Sequence, residues 1–244
     1  MEKTLAIFAD IHANIDALDA VLADASEQGA TDYICVGDVV GYNAAPNECL
    51  DAVRKLNAAF VRGNHDHYCS NDEHLEDFHP LAANVVSWTR QQLGAERQAW
   101  LRALPLHAFY QGITLVHATL DMPERWGYVF DEIEAEAHFN YQNTQICFNG
   151  HTHVPVFFEK KGNAIERKDA TGEIQIQLGK KYFINTGSVG QPRDNDPRAS
   201  YCVYEVTKRK ITFRRVAYDI AAAQKRLKDA GLPDRLSARL SSGR

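Results

Sequence analysis

The stretch Arg62-Gly63-Asn64-His65-Asp66-His67 decides how this chain is read. It follows the apolar run Ala58-Ala59-Phe60-Val61, which has the length and composition of a buried strand. A glycine then packs an amide, an imidazole and a carboxylate into one tight turn. Those three groups can serve as a neutral metal ligand, a proton donor and the group that holds the donor in place.

The same arrangement recurs on both sides of it. Thr4–Ala9 ends at Asp10-Ile11-His12, Tyr33–Val36 at Gly37-Asp38, Ile113–Val116 at His117, and Gln145–Phe148 at Asn149-Gly150-His151-Thr152-His153. Between the early runs, Ile15, Leu18, Val21, Leu22 and Ala25 repeat at helical spacing up to Gly29. Pro46 suits the first turn of a helix whose Cys49, Leu50, Val53 and Leu56 face inward. Strands alternating with helices predict a largely parallel sheet with right-handed crossovers. Helices are also predicted around Leu81–Leu93, around Trp100–Leu104 and over Asp131–Phe139, with a strand at Leu106–Tyr110. Beyond Pro155 the texture turns to β: Ile174, Ile176 and Leu178 alternate with polar residues, Tyr182–Ile184 is apolar, and Tyr201–Val206 with Ile211–Val216 reads as a hairpin. A closing helix fits Ile220, Ala223 and Leu227, capped by Asp219 and stopped by Gly231. The expected fold class is α/β, two packed mixed sheets flanked by helices, in one domain over 1–244 with a core of about 4–218 and a C-terminal helix and tail over 219–244.

Composition sets limits on function. With 244 residues, 45% hydrophobic and 24% charged, the chain can bury a sizeable core. No apolar run approaches the roughly 20 residues of a membrane span, and the first residues do not read as a secretory leader. The five cysteines are odd in number and form no CxxC pair, so no disulfide framework is expected and a cytoplasmic setting fits. A net charge of −5 speaks against a general grip on nucleic acid. Basic residues outnumber acidic ones from Lys225 to Arg244, which reads as a solvated helix face and a frayed tail.

Ligands in open α/β sheets bind beyond the carboxyl ends of the strands. Setting the five motif ends along one edge gathers Asp10, His12, Asp38, Asn64, His65, His117, His151 and His153 in one crevice. Oxygen and nitrogen donors of this kind suit Mn, Fe, Zn, Co or Ni. Two such ions bring more positive charge than Asp10 and Asp38 return, which leaves a site suited to an anionic phosphate. Two metals also bind and activate the groups of an in-line phosphoryl displacement. A two-oxygen carboxylate such as Asp38 is a natural bridge.

Asp10-x-His12, Gly37-Asp38, Gly63-Asn64-His65-Asp66, His117 and Gly150-His-Thr-His153 together resemble the motif set of the calcineurin-like metallophosphoesterases, in particular their small bacterial and archaeal phosphodiesterase branch. The resemblance implies a four-layer sandwich and two divalent transition-metal ions. By it, Asp10, His12 and His153 would hold one ion, Asn64, His117 and His151 the other, and Asp38 would bridge them. It implies hydrolysis of a phosphodiester, or a phosphomonoester, by metal-bound hydroxide. His65 would protonate the leaving oxygen and Asp66 would orient His65. The expected partner is a small phosphoester, nucleotide-derived or otherwise, with no membrane, and the acidic charge balance disfavours nucleic acid. One departure stands out: the serine/threonine phosphatases of this group carry an arginine just after Gly-Asp, where this chain has Val39-Val40. Arg193 either takes over that phosphate contact or is a surface arginine. Phosphoprotein phosphatase, nuclease and non-catalytic metal-binding scaffold are the competing functions. The aromatic loop Asp121–Tyr141, with Trp126, Tyr128, Phe130, Phe139 and Tyr141, either walls the crevice or packs a local helix onto the core. His67, His74, His79, His107 and His138 are read as structural or surface residues.

Overall fold

The computed structural model describes residues 3–76 and 80–244, so His79 lies outside the described residues. The chain runs β1 (Thr4–Phe8), α1 (Ile15–Glu27), β2 (Asp32–Cys35), α2 (Pro46–Val53), β3 (Ala58–Phe60), α3 (Asn64–Ser70), α4 (Pro80–Gln92) and α5 (Ala95–Ala103). It continues through β4 (His107–Tyr110), β5 (Ile113–Val116), a 3-10 turn at Pro123–Arg125, α6 (Glu132–Phe139), β6 (Ile146–Asn149), β7 (Val156–Lys161) and β8 (Ala164–Asp169). The last elements are β9 (Glu173–Gln175), β10 (Lys181–Asn185), β11 (Ala199–Glu205), β12 (Lys210–Val216), α7 (Ile220–Asp229) and α8 (Asp234–Ser242).

Twelve strands form two six-stranded sheets among the described residues, in the orders β3-β2-β1-β11-β12-β9 and β4-β5-β6-β10-β7-β8. Each contains a parallel triad: β3, β2 and β1 in the first, β5, β6 and β10 in the second. The remaining strands join antiparallel. Leu5, Ile7, Ile34 and Val36 from the first triad meet Leu115, Ile146, Phe148 and Ile184 from the second in the layer between the sheets. The alternate residues Ala6, Phe8 and Cys35 face outward onto Leu18 and Val21 of α1 and Leu50 and Val53 of α2. On the far side, Cys147, Phe158 and Phe183 pack under Ala135 and Phe139 of α6. Near-continuous apolar runs are what strands covered on both faces require, and they deliver both triads to one end of the sandwich.

Three expectations need correction. The turn after Gly63 opens a seven-residue helix, α3. The tail is not frayed: α8 docks Leu236 and Leu240 against Val85 of α4 and Leu227 of α7. The β texture after Pro155 includes the hairpin β7–β8, which was not anticipated, because its edge strand Ala-Ile-Glu-Arg-Lys-Asp carries mostly charged residues. The alternation through Ile174, Ile176 and Leu178 yields only the short β9, and Leu178 lies 83% exposed beyond its end.

Candidate metal centre

Every motif residue expected at the crevice is found there. Asp10, His12, Asp38, His65, His117, His151 and His153 are all buried. The loops that carry them are unusual. Asp10, His12, Asp38, His151 and His153 all adopt positive φ, between 47° and 70°. That region costs a non-glycine residue about 1–3 kcal/mol and persists where the surroundings over-determine it. The close approach of neighbouring backbone helps to explain the adjoining glycines: a Cβ on Gly63 would collide with Asp38 Oδ1, and one on Gly150 with Asp10 Oδ2.

The imidazoles reveal what the cluster is built to hold. His12 Nδ1 donates to Val40 O at 3.1 Å, and His153 Nδ1 donates to Gln191 O at 2.6 Å. A carbonyl only accepts, so these bonds fix the proton of each neutral ring on Nδ1. Burial lowers both histidines, and each ring is therefore neutral. Their Nε2 lone pairs then face each other at 3.0 Å, with Asp10 Oδ1 3.3 Å from His153 Nε2. Asp10 Oδ1 is buried and has no hydrogen-bond partner. Three acceptors converge with no hydrogen between them, and a cation relieves that repulsion.

A second group forms beside the first. Asn64 Oδ1 lies 3.0 Å from His117 Nε2 and 3.0 Å from His151 Nδ1. The remote nitrogens of these rings donate to Val36 O at 2.8 Å and Trp126 O at 2.9 Å. Asp38 Oδ2 stands between the groups, 3.6 Å from His12 Nε2 and 3.3 Å from His117 Nε2. Burial alone would raise Asp38 and lower His117, but their mutual attraction prevails, holding Asp38 well down and His117 up at about 9. Burial lowers His151 to about 3, so its ring is already a neutral donor, whereas His117 would release a proton on ligating a cation. The residues fit a pair of divalent ions: two clusters of N and O donors sharing one carboxylate.

A family model described as the calcineurin-like phosphoesterase superfamily domain matches residues 4–209. The chain belongs to this superfamily. It is 38% identical over its full length, and over the full length of the relative, to an uncharacterized protein of Methanocaldococcus jannaschii. A metallophosphoesterase from Sphaerobacter thermophilus shares 38% identity and superposes with a TM-score of 0.88, covering 100% of both chains. A hypothetical protein from Pyrococcus horikoshii shares the fold at 20% identity, with a TM-score of 0.80 over 99% of this chain and 98% of that one.

Within this calcineurin-like domain, Asp66 departs from its expected place. Neither carboxylate oxygen is hydrogen-bonded to the His65 ring. Oδ2 accepts the N–H of Asp38 at 2.8 Å and of Gly63 at 3.1 Å; Oδ1 accepts Val39 at 2.9 Å and Val40 at 3.2 Å. As the third residue of α3, Asp66 clamps the helix start and the Asp38 loop together. Burial and the Asp38 charge push it up to about 7, against the four N–H donors that favour its ionised form. His65 instead packs its ring 4.4 Å from Tyr42 and 4.8 Å from His12, and its Nδ1 is buried without a partner. It also lies close enough to His12 and Asp38 to share a cation with them. Burial, seconded by Arg193 and other imidazoles, lowers it to about 4.

Arg193 is at the site: its guanidinium lies 5.6 Å from the Tyr42 ring, and Nη2 donates to Gln191 Oε1 at 3.1 Å. The aromatic loop divides. Phe139 packs in the core, whereas Tyr128 stacks on His151 at 4.2 Å and Phe130 stacks on Tyr128 at 5.6 Å. Trp126 places its ring 6.1 Å from His117. His138 is structural, buried against Phe183 with Nε2 3.1 Å from Gln142 Oε1. Sequence reading missed Asn185 and Ser188, which tie the ligand loops through Asn185 Nδ2–Thr152 Oγ1 at 3.0 Å and Ser188 Oγ–Asp10 O at 2.8 Å. Their signal was present, since they follow the apolar run of β10 as the ligands follow theirs. A cavity of about 560 Å³, lined by Gln145, Lys160, Leu178 and Lys180 among others, contains no residue of this centre.

Proposed function

We propose that this protein is a dinuclear metal-dependent hydrolase of small phosphoesters, with diesters ahead of monoesters. The observation that carries the reading is the convergence of unprotonated His12 and His153 nitrogens and the orphaned Asp10 oxygen on one point, with Asp38 Oδ2 leading to a second donor group. Asp10, His12 and His153 would hold one ion, and Asn64, His117 and His151 the other, with Asp38 shared. When bound, two divalent ions polarise phosphoryl oxygens and lower the pKa of water towards neutrality. The chain's own residues do the rest. Backbone carbonyls of Val40, Gln191, Val36 and Trp126 hold each imidazole in its ligating tautomer. His65, grouped with His12 and Asp38, supplies the proton that the leaving oxygen takes up. The anionic phosphate of the ester beside it opposes the field of Arg193 and raises the proton affinity of His65 in the complex. Tyr128 and Phe130 offer a stacking face for an aryl or nucleoside portion. Val39 and Val40 occupy the positions after Gly-Asp as buried apolar residues, which disfavours a phosphoprotein phosphatase.

The test is to strip the protein of metal, reconstitute it with Mn, Ni, Zn or Fe, and assay aryl phosphate diesters, monoesters and a nucleotide panel. Metal-dependent turnover with diesters ahead is expected. Two bound metals without turnover of any phosphoester would favour the scaffold.

A further inference from the structure

A second pocket is connected to the metal centre through Tyr42, whose ring packs on His65 and His12. It has a volume of about 210 Å³ and is lined by Tyr42, Leu81, Ala82, Arg193, Arg235 and Arg239. Several arginines of the chain are paired with carboxylates, as Arg97 with Asp51, Arg214 with Asp24, Arg215 with Asp194 and Arg226 with Asp16. Among the described residues, no ion pair involves Arg193, Arg235 or Arg239. Nε of Arg193 is buried without a partner. Burial and the charges of Arg193 and Arg235 lower the Arg239 guanidinium below its ordinary value, the mark of cations crowded together and partly dried.

The fold holds this crowding in place. Arg235 and Arg239 are four residues apart on α8 and so share one face, while Leu236 and Leu240 anchor the helix to the core. The end of α8 is bonded to the loop that carries Arg193: Asn195 N–H donates to Gly243 O at 2.8 Å, and Arg244 Nε to Asn195 Oδ1 at 2.9 Å. Tyr42 joins pocket and centre. Its backbone is in the left-handed region at φ 60°, which a bulky residue adopts only under constraint, and its ring is sandwiched between His65 at 4.4 Å and the Arg193 guanidinium at 5.6 Å. Guanidinium groups recognise phosphate through paired N–H donors. At this volume the pocket is smaller than the roughly 300–1,000 Å³ of sites that enclose a whole ligand, so it suits a single group.

We propose that Arg193, Arg235 and Arg239 form a subsite for a second, non-scissile phosphate of the substrate. This rests on the hydrolase reading above. Because Tyr42, which lines the pocket, packs on His65, that phosphate is carried by the leaving group. The favoured class is then a phosphoester or phosphoanhydride whose leaving portion is itself phosphorylated.

Two measurements test it. Inorganic phosphate titrated calorimetrically into metal-stripped protein should bind, and Arg235→Gln and Arg239→Gln should each weaken it about tenfold or more, as expected for a lost charge-assisted bond. Arg235 is exposed on α8, so its variant keeps the fold, and thermal melting checks Arg239→Gln. In the Mn-loaded protein, two substrates with the same leaving alcohol, one bearing an additional phosphate, should differ in kcat/KM by about tenfold or more, with the ratio collapsing in both variants. A second pair, ester against anhydride, identifies the linkage. No phosphate binding, or binding and substrate ratios unchanged in the variants, overturns the subsite while leaving the hydrolase reading intact. Arginine-dependent phosphate binding with no hydrolysis of any phosphoester refutes the hydrolase reading and with it the substrate role of the pocket.

Discussion

Asp66→Asn separates two accounts of the most informative turn in the chain. If Asp66 oriented His65, the variant would keep its stability and lose turnover much as His65→Ala does. The geometry assigns Asp66 a different task. In the variant, one amide oxygen can still accept from Val39 and Val40, but the amide NH2 replaces the oxygen that takes N–H donors from Asp38 at 2.8 Å and Gly63 at 3.1 Å. Two buried donors then confront a third. Each unsatisfied buried donor costs about 1–3 kcal/mol, so the loss should be about 2–6 kcal/mol. Asp38 is the shared ligand and its own N–H is one of the two, so metal affinity should fall about 10- to 100-fold. Urea unfolding of the metal-stripped protein gives the first quantity and competition with a chelator the second. An Asp66→Asn protein of unchanged unfolding midpoint and full metal content, slow only in turnover, would refute the clamp.

Other perturbations have equally definite outcomes. His65→Ala should keep its metals and lose about 10²–10⁴ in turnover, less for esters with very acidic leaving groups, and loss of one equivalent of metal in elemental analysis would make His65 a ligand. Tyr128→Ala should lower kcat/KM for aryl and nucleoside phosphoesters roughly 5- to 150-fold, the worth of one stacking contact, while sparing esters without a ring; equal losses for both would remove the stacking face. Asp24 tests the scaffold far from the site. Burial would raise its carboxyl, but hydrogen bonds from Arg214 and Tyr201 outweigh this and hold it below its ordinary value. Its stabilisation is therefore complete above the unfolded pKa and is lost as pH falls through the lower folded value. Asp24→Asn should cost about 1–2 kcal/mol at neutral pH, and chemical unfolding should show that gap closing below about pH 4.

The ligands were legible because the rule that places them is local. A buried parallel strand reads as an unbroken apolar run, and its last residue marks where the next side chain enters the crevice. Asp10, Asp38, Asn64, His117 and His151 each sit within four residues of such an end. What was not legible depends on partners distant in sequence. Asp66 and His65 are neighbours in the chain, but the carboxylate turns to donors 26 to 28 residues away. The basic tail read as solvated because nothing local reveals that Leu236 and Leu240 meet α4, bringing Arg235 and Arg239 beside Tyr42. The aromatic loop could not be apportioned from its sequence either. Phe139 lies on the inner face of α6, while Tyr128 and Phe130 lie in the irregular segment before that helix, where no periodicity fixes a side.

The strained ligand loops connect these observations. Five of the seven metal-competent residues hold a positive φ, at about 1–3 kcal/mol each, a total comparable to the whole stability of a typical domain. Such loops stay in place only if their backbone groups are bonded from outside. Asp66 does this for Asp38, Ser188 and Gly190 do it for Asp10, and Asn185 does it for the loop that carries His151 and His153. The Nε2 lone pairs of His12 and His153 stand face to face at 3.0 Å, held there by carbonyl bonds on their far sides. The energy that an unstrained loop would recover by relaxing is instead available to a cation on arrival. The fold thus uses its backbone hydrogen bonds to keep a repulsive donor set assembled, and metal affinity should track those remote bonds as closely as it tracks the ligands themselves.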